Sequence, residues 1–204
     1  MKNWNTLPNI KIMERTVVAL KQNGFEAMVV ASAVEAKQKF LEIIPQGSEV
    51  MDMTSITLET LGLVSEIQES GKYNSVKKKL SSMDRKTQGR EMQRLGAAPE
   101  WAVGRVHAVT QDGHVLIASN SGSQLPAYAY GSDHVVWIVG AQKIVENIDE
   151  GMKRIYEHSL PLESDRAKKA YGVPGSFVSK ILILNREPKP GRMHIIVVNE
   201  VLGY

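Results

Sequence analysis

Cysteine is absent from this 204-residue chain, and that absence alone removes disulfides, thiolate metal sites, iron–sulfur ligation and a cysteine nucleophile. Long apolar runs are missing too. The opening MKNWNTLPNIKIMERT has no uninterrupted apolar segment behind its early lysine, and nowhere does the chain approach the roughly 18 apolar residues of a membrane span. The expectation is a cytoplasmic protein with no membrane association. No GxxxxGK[ST] run, GxGxxG fingerprint, HExxH pair or GxSxG elbow occurs, so nucleoside triphosphate, dinucleotide, zinc-hydrolase and serine-hydrolase readings have no motif behind them. Neither repeats nor low-complexity tracts are visible.

What remains is an ordinary globular composition, 43% hydrophobic and 23% charged, far from the pattern of disorder. The length suits one α/β domain, read as residues 1–204. The formal charge is +3, from 25 basic against 22 acidic residues. The basic side chains are scattered, and the densest run, Lys77-Lys78-Lys79 with Arg85-Lys86, has no aromatic interleaving beyond Tyr73. It reads as a solvated helix face, and no nucleic-acid partner is expected.

Periodicity orders the chain. Ile10, Met13, Val17 and Leu20 mark a helix opened by Asn9 and closed by Gly24. Glu26–Ala31 reads as a strand. Ser32-Ala33-Val34-Glu35 is a capping box that starts a helix ending near Pro45, and Glu49–Met53 is the next strand. A right-handed βαβ connection then places the intervening helix on a sheet face. Leu58, Leu61, Val64 and Ile67 predict one helix ending at Gly71. Trp101–Thr110 and His114–Ser119 are β-rich runs around Gln111-Asp112-Gly113, a hairpin signal. Val135–Val139 is a strongly apolar strand, and the Glu146–Tyr156 region is an amphipathic helix. Leu160–Gly175, polar and punctuated by Pro and Gly, predicts a mobile surface excursion. Lys180–Asn185 and Met193–Asn199, joined by EPKPGR, predict a closing antiparallel pair.

Two polar clusters carry the chemistry. Thr54, Ser55 and Thr57 follow a strand and precede a helix, where free N–H groups and hydroxyls bind anions, although helix capping alone also accounts for them. Asn120, Ser121, Gly122, Ser123 and Gln124 lie between two β-branched runs and exceed what a turn needs. Together they predict one anion-binding pocket at the carboxyl ends of strands. Asp52, Glu200 and His107 are the candidate catalytic groups, each with a bland alternative as a strand-end or locally satisfied residue. The five histidines stand singly, so no metal site is expected, and no cofactor either. A Ser123–His107–Asp133 triad can be assembled only on paper.

The stretches TSITLETLG (54–62), HAVTQDGHVLIASNSGSQLPAYAYG (107–131), VGAQKIVENIDEGMKRI (139–155) and PGRMHIIVVNEVLGY (190–204) resemble, in that order, the LUD family, named for lactate utilisation. The resemblance spans nearly the whole chain. It implies a three-layer α/β/α fold of the NagB/RpiA/CoA-transferase type, with a mainly parallel sheet plus antiparallel hairpin strands. It implies a role in lactate metabolism, with oxidoreductase or iron–sulfur partner proteins for some members. In isomerases of this fold, hydroxyl-rich loops hold a substrate phosphate, and Thr54, Ser55, Thr57 and Ser121–Ser123 occupy comparable places. Some relatives carry a cysteine-rich stretch before the last two strands, where this chain has AYGVPGSFVSK.

Three functions follow as expectations. The first is binding of a small anionic metabolite such as a hydroxyacid, sugar phosphate or acyl-CoA. The second is a non-catalytic subunit or regulator of an oxidoreductase. The third is a sugar-phosphate isomerase or CoA-transferase-like enzyme using Asp52 or Glu200 as base. Assembly into a homo-oligomer is compatible with any of them.

Overall fold

Local signals account for most elements of the computed structural model, which describes residues 2–204. Helix α1 (Ile10–Gln22) is capped by Asn9, whose side chain accepts from the Ile12 N–H, and it buries Met13, Val17 and Leu20. Strand β1 (Glu26–Val30), helix α2 (Ala33–Ile43) and strand β2 (Glu49–Asp52) follow. Ser32 accepts from the Glu35 N–H, and the Glu35 carboxylate reaches back to the Ala31 N–H, a reciprocal cap that fixes the start of α2.

The single helix expected after Thr57 is two, α3 (Ile56–Thr60) and α4 (Leu63–Glu69). Gly62 breaks it with a left-handed φ of +65°, a conformation glycine adopts without steric penalty. Leu58, Leu61, Leu63 and Ile67 nevertheless reach one core. Beyond β3 (Asn74–Ser75), the basic stretch forms α5 (Val76–Ser81) and α6 (Arg85–Ala97), the latter with no buried residue.

The run from Trp101 to Thr110 is not one strand. It divides into β4 (Trp101–Gly104) and β5 (Ala108–Thr110), which lie in different sheets, and Arg105–His107 carry the chain between them. The hairpin around Gly113 does form, between β5 and β6 (Val115–Ser119). A π turn (Ala127–Gly131), β7 (His134–Gly140), a 3₁₀ turn (Ala141–Lys143) and β8 (Ile144–Val145) come next.

The expected excursion over Leu160–Gly175 is corrected: it is mostly helix. α7 (Ile148–Arg154), a π turn (Ile155–Ser159) and α8 (Leu160–Tyr171) run on from one another until Gly172, at φ +65°. Pro161 has no N–H to donate and its ring crowds the carbonyl four residues back, and the widened turn just before it accommodates both.

The closing antiparallel pair is also corrected. β9 (Lys180–Leu184) pairs with β6, whereas β10 (Met193–Val198) lies between β1 and β7, parallel to both. Side-chain burial explains the separation. The apolar MHIIVV run is almost wholly buried and suits a central parallel strand, while β9 is half exposed and suits an edge.

The larger sheet has the order β1-β10-β7-β4-β2-β3 with every pairing parallel, and the smaller, mixed sheet runs β8-β5-β6-β9. Alternation along the central strands builds two cores. Val136, Ile138, Ile196 and Val198 face α2, α3 and α4. Val135, Trp137, Ile195 and Val197 face α1 and the small sheet, through Met13, Val109, Val115 and Ile117. The far side of the small sheet, at Ala108 and Leu116, packs on Ile155 and Met152 of the long helix. The fold is therefore α/β/α layered around a mainly parallel sheet, with the antiparallel hairpin strands alongside. Because the large sheet is parallel, the segments after β2, β4, β7 and β10 all leave from one edge. Among the described residues, no helix is long and apolar enough to cross a membrane.

Candidate functional site

At that edge lies a cleft of about 240 Å³. Its walls come from the end of β2 (Asp52–Thr54), the β4–β5 connection (Arg105, His107), the segment after β6 (Ser119–Ser121, Ser123, Gln124), α5 (Lys77), and α8 (Glu163, Arg166). Three cations and two carboxylates thus share one small space.

Asp52 is fully buried. Its Oδ2 accepts from Gln68 Nε2 at 2.8 Å and Lys77 Nζ at 3.2 Å, while Oδ1 is buried with no partner. Burial raises its pKa, against the opposing pull of Lys77 and Gln68. A buried carboxylate oxygen left free is an acceptor kept for something else.

Across the cleft, Glu163 gathers four donors: Arg166 Nε and Nη2 at 3.0 and 2.6 Å, Arg105 Nη2 at 3.3 Å, and the Tyr204 hydroxyl at 2.6 Å. Burial alone raises a carboxyl pKa, but Arg166, Tyr204 and Arg105 overcome it and bring Glu163 down to about 2. Arg105 also lies over the Tyr204 ring, 5.4 Å from its centroid. Its Nη1 is buried and unpaired. The floor is formed where Gly104, at the end of β4, lets Tyr128 approach. A Cβ at Gly104 would stand 1.8 Å from the Tyr128 hydroxyl.

His107 Nδ1 accepts from the Ala118 N–H at 3.0 Å. Burial first, then the neighbouring Arg105, Lys143 and Arg154, hold its pKa well below the ordinary histidine value. The neutral ring therefore carries its proton on Nε2. Behind it, fully buried Arg154 donates to the His107 carbonyl at 2.7 Å and Ser159 Oγ at 3.3 Å, with Nε and Nη2 unpaired.

The two polar clusters expected from sequence meet in part. Thr54 lines the same cleft as Asn120, Ser121, Ser123 and Gln124, and Asp52 and His107 line it too. Ser55 does not: its side chain caps α3 through the Leu58 N–H at 3.3 Å. Thr57 is buried behind the cleft, donating to the Leu202 carbonyl at 3.4 Å. Gly122 sits under Lys180, whose Cδ would lie 2.6 Å from an added Cβ. Glu200 stands apart, its carbonyl against Gly140.

The loop also spends its own amides. Gly122 N–H donates to Ser119 Oγ at 2.8 Å, Ser123 N–H to Ser121 Oγ at 3.3 Å and Leu125 N–H to the Gly122 carbonyl at 3.1 Å. Positive charge at the cleft comes instead from the side chains of Lys77, Arg105 and Arg166. No triad forms, since Asp133 is exposed and pairs with Lys189, and the Ser121 hydroxyl donates to Ser123 Oγ. Among the described residues, no three His, Asp or Glu side chains gather at metal-binding spacing.

Sequence reasoning missed Lys77, Arg105, Glu163, Arg166, Tyr128 and Tyr204. Lys77 was hidden inside a basic run that reads as solvated. Arg105 had one available signal, a charge interrupting an apolar β run. Glu163 and Arg166 carry the i, i+3 spacing of one helix face, in a stretch read as irregular.

Comparison with known proteins adds the lineage. The LUD domain profile matches residues 13–198. Among curated proteins, none matches this chain. Among solved structures, a DUF162 family protein from Deinococcus radiodurans superposes with a TM-score of 0.59 at 12% identity, covering 95% of this chain and 100% of that one. The delta subunit of eIF2B from Chaetomium thermophilum aligns with a TM-score of 0.34 at 11% identity, over 71% of this chain and 57% of its own. The first likeness shows the fold, and the family match spans nearly every element described above: the chain belongs to the LUD domain family.

Proposed function

We propose that the cleft binds a small hydroxyacid, in keeping with the lactate-utilisation role associated with the family, its carboxylate at Arg105 and its hydroxyl at Asp52. The observation behind this is a pair of unsatisfied buried atoms of opposite character in the walls of one cleft, the donor Arg105 Nη1 and the acceptor Asp52 Oδ1. Leaving either unpaired is unfavourable by about 1–3 kcal/mol. A ligand with an anionic end and a hydroxyl donor completes both, and Lys77, Arg166 and the hydroxyls of Thr54, Ser121 and Ser123 surround it with polar contacts.

Isothermal titration calorimetry against lactate, pyruvate, sugar phosphates and CoA esters tests the reading. Lactate is expected to bind more tightly than pyruvate, which lacks the hydroxyl proton for Asp52, and Arg105→Gln is expected to weaken binding about tenfold or more, the effect of losing a charge-assisted hydrogen bond. A folded protein that gives no heat with any of these ligands would overturn it.

A further inference from the structure

Lys143 is fully buried at the end of the 3₁₀ turn that follows β7. Its Nζ has one polar contact, Thr57 Oγ1 at 3.5 Å, and no carboxylate pairs with it among the described residues. The charged and titratable groups around it are Arg154, Arg105 and the neutral His107 and His158, so nothing nearby stabilises an ammonium. Burial first, then Arg154 and Arg105, push its pKa well below the ordinary lysine value. A merely structural lysine would find a carboxylate or several carbonyls. An amine in an apolar, cation-flanked position gives up its proton more readily, and this is the arrangement that makes lysine a nucleophile toward carbonyl carbon.

The amine is covered in a specific way. Leu202 and Gly203 lie across it, tied down by Gln142, whose Nε2 donates to both of their carbonyls at 3.1 Å and whose Oε1 accepts from the Leu202 N–H at 3.3 Å. A Cβ on Gly203 would stand 2.5 Å from Thr57 Oγ1 and 3.6 Å from Lys143 Nζ. The next residue, Tyr204, donates to Glu163, the carboxylate that also holds Arg105 and Arg166. Arg105 lies over the Tyr204 ring, so an anion that re-aims the Arg105 guanidinium withdraws one of the contacts that hold the Tyr204 end of this strap.

We propose that Lys143 condenses with a 2-oxo acid to form an imine, beneath a strap of Leu202–Tyr204 that opens when the acid's carboxylate engages the cleft. The choice of a 2-oxo acid, the oxidised counterpart of a hydroxyacid, rests on the reading of the cleft given above. In the step, the amine lone pair forms a bond to the carbonyl carbon. The carbonyl oxygen departs as water with both amine protons, leaving a carbon–nitrogen double bond and no change in oxidation state.

Reductive trapping tests it on the unmodified protein, so folding of a lysine variant is not at issue. Pyruvate or glyoxylate with cyanoborohydride, followed by peptide mass mapping, is expected to place a carboxyalkyl group on Lys143 about tenfold or more above exposed lysines such as Lys11 and Lys78, because a lowered pKa enlarges its share of free amine. Tyr204→Phe, which frees the strap from Glu163, is expected to speed that labelling. Labelling confined to exposed lysines in both proteins overturns the proposal. The two readings fail separately: calorimetric heat with lactate but no Lys143 adduct removes the imine and leaves the cleft, whereas the adduct without heat for any hydroxyacid removes the hydroxyacid and leaves the amine.

Discussion

Lys77 Nζ lies 3.2 Å from Asp52 Oδ2, on a fully buried carboxylate whose other oxygen has no partner. Because burial raises the Asp52 pKa, the folded chain holds this proton to higher pH than the unfolded chain does. The resulting stability is present at low pH and is lost as pH rises through the raised value. Asp52→Asn should therefore be more stable than wild type at pH 7 and should flatten the decline with rising pH, while weakening hydroxyacid binding. Lys77→Met should lose about 1–2 kcal/mol, less than a fully buried pair would because Lys77 is partly solvated. Urea denaturation between pH 4 and 8 measures both.

Glu163 behaves in the opposite sense. Its pKa is lowered to about 2 from an ordinary 4.5, so its ionised form supports the fold above pH 4.5 and that support drains away as pH falls toward 2. Wild type should lose up to about 3 kcal/mol across this window relative to Glu163→Gln. The same variant frees Arg105 and Arg166 from their resident carboxylate and should bind anions more tightly. Acid titration followed by circular dichroism, paired with calorimetry, checks the two effects together.

Gly104→Ala places a methyl group where the Tyr128 hydroxyl now sits. Its backbone has no left-handed requirement, so the effect is steric. Tyr128 is fully buried and edge-on to Trp137, with ring centroids 5.2 Å apart, so any retreat from the added methyl disturbs that contact or intrudes on the cleft it lines. The expected destabilisation is about 1–3 kcal/mol, together with loss of ligand heat. Gly104→Ala combined with Tyr128→Phe should recover part of both, since removing the hydroxyl removes the closest clash.

Arg192 is a second clamp, remote from the charges of the cleft. Its guanidinium pairs with Glu187 at 2.7 Å and donates to the carbonyls of Ser132, Ala127 and Tyr128 at 2.9–3.1 Å. It thus fixes both ends of the π turn that carries Tyr128. Arg192→Met should destabilise the chain by about 3–5 kcal/mol, because it removes the cation from a buried carboxylate and a donor from the carbonyls of Ser132, Ala127 and Tyr128. Guanidinium denaturation reads this directly.

Much of this architecture was legible because burial on one or two faces writes itself into spacing. The α1 stripe, the Ser32–Glu35 cap, the Asp112-Gly113 hairpin and the both-faces-buried strand at 135–139 all follow from local rules. Pairing partners did not. MHIIVV and KILIL look alike as apolar runs, and only their places in different sheets separate them. The cleft was half legible for the same reason: hydroxyl loops announce themselves locally, whereas Arg105, Glu163 and Tyr204 become one group only through contacts 41–58 residues apart in the chain. Ser55 and Thr57 misled because a hydroxyl after a strand serves equally well as a cap or a buried tie.

Only Arg105, Val106 and His107 span the passage from β4 in the large sheet to β5 in the small one. So short a bridge leaves no slack. If the small sheet slides on its packing of Val109, Val115 and Ile117, the guanidinium and imidazole at its doorway shift with it. Aliphatic residues outside the cleft therefore set where its polar groups stand, and repacking them is a route to a reshaped cleft with every polar side chain kept.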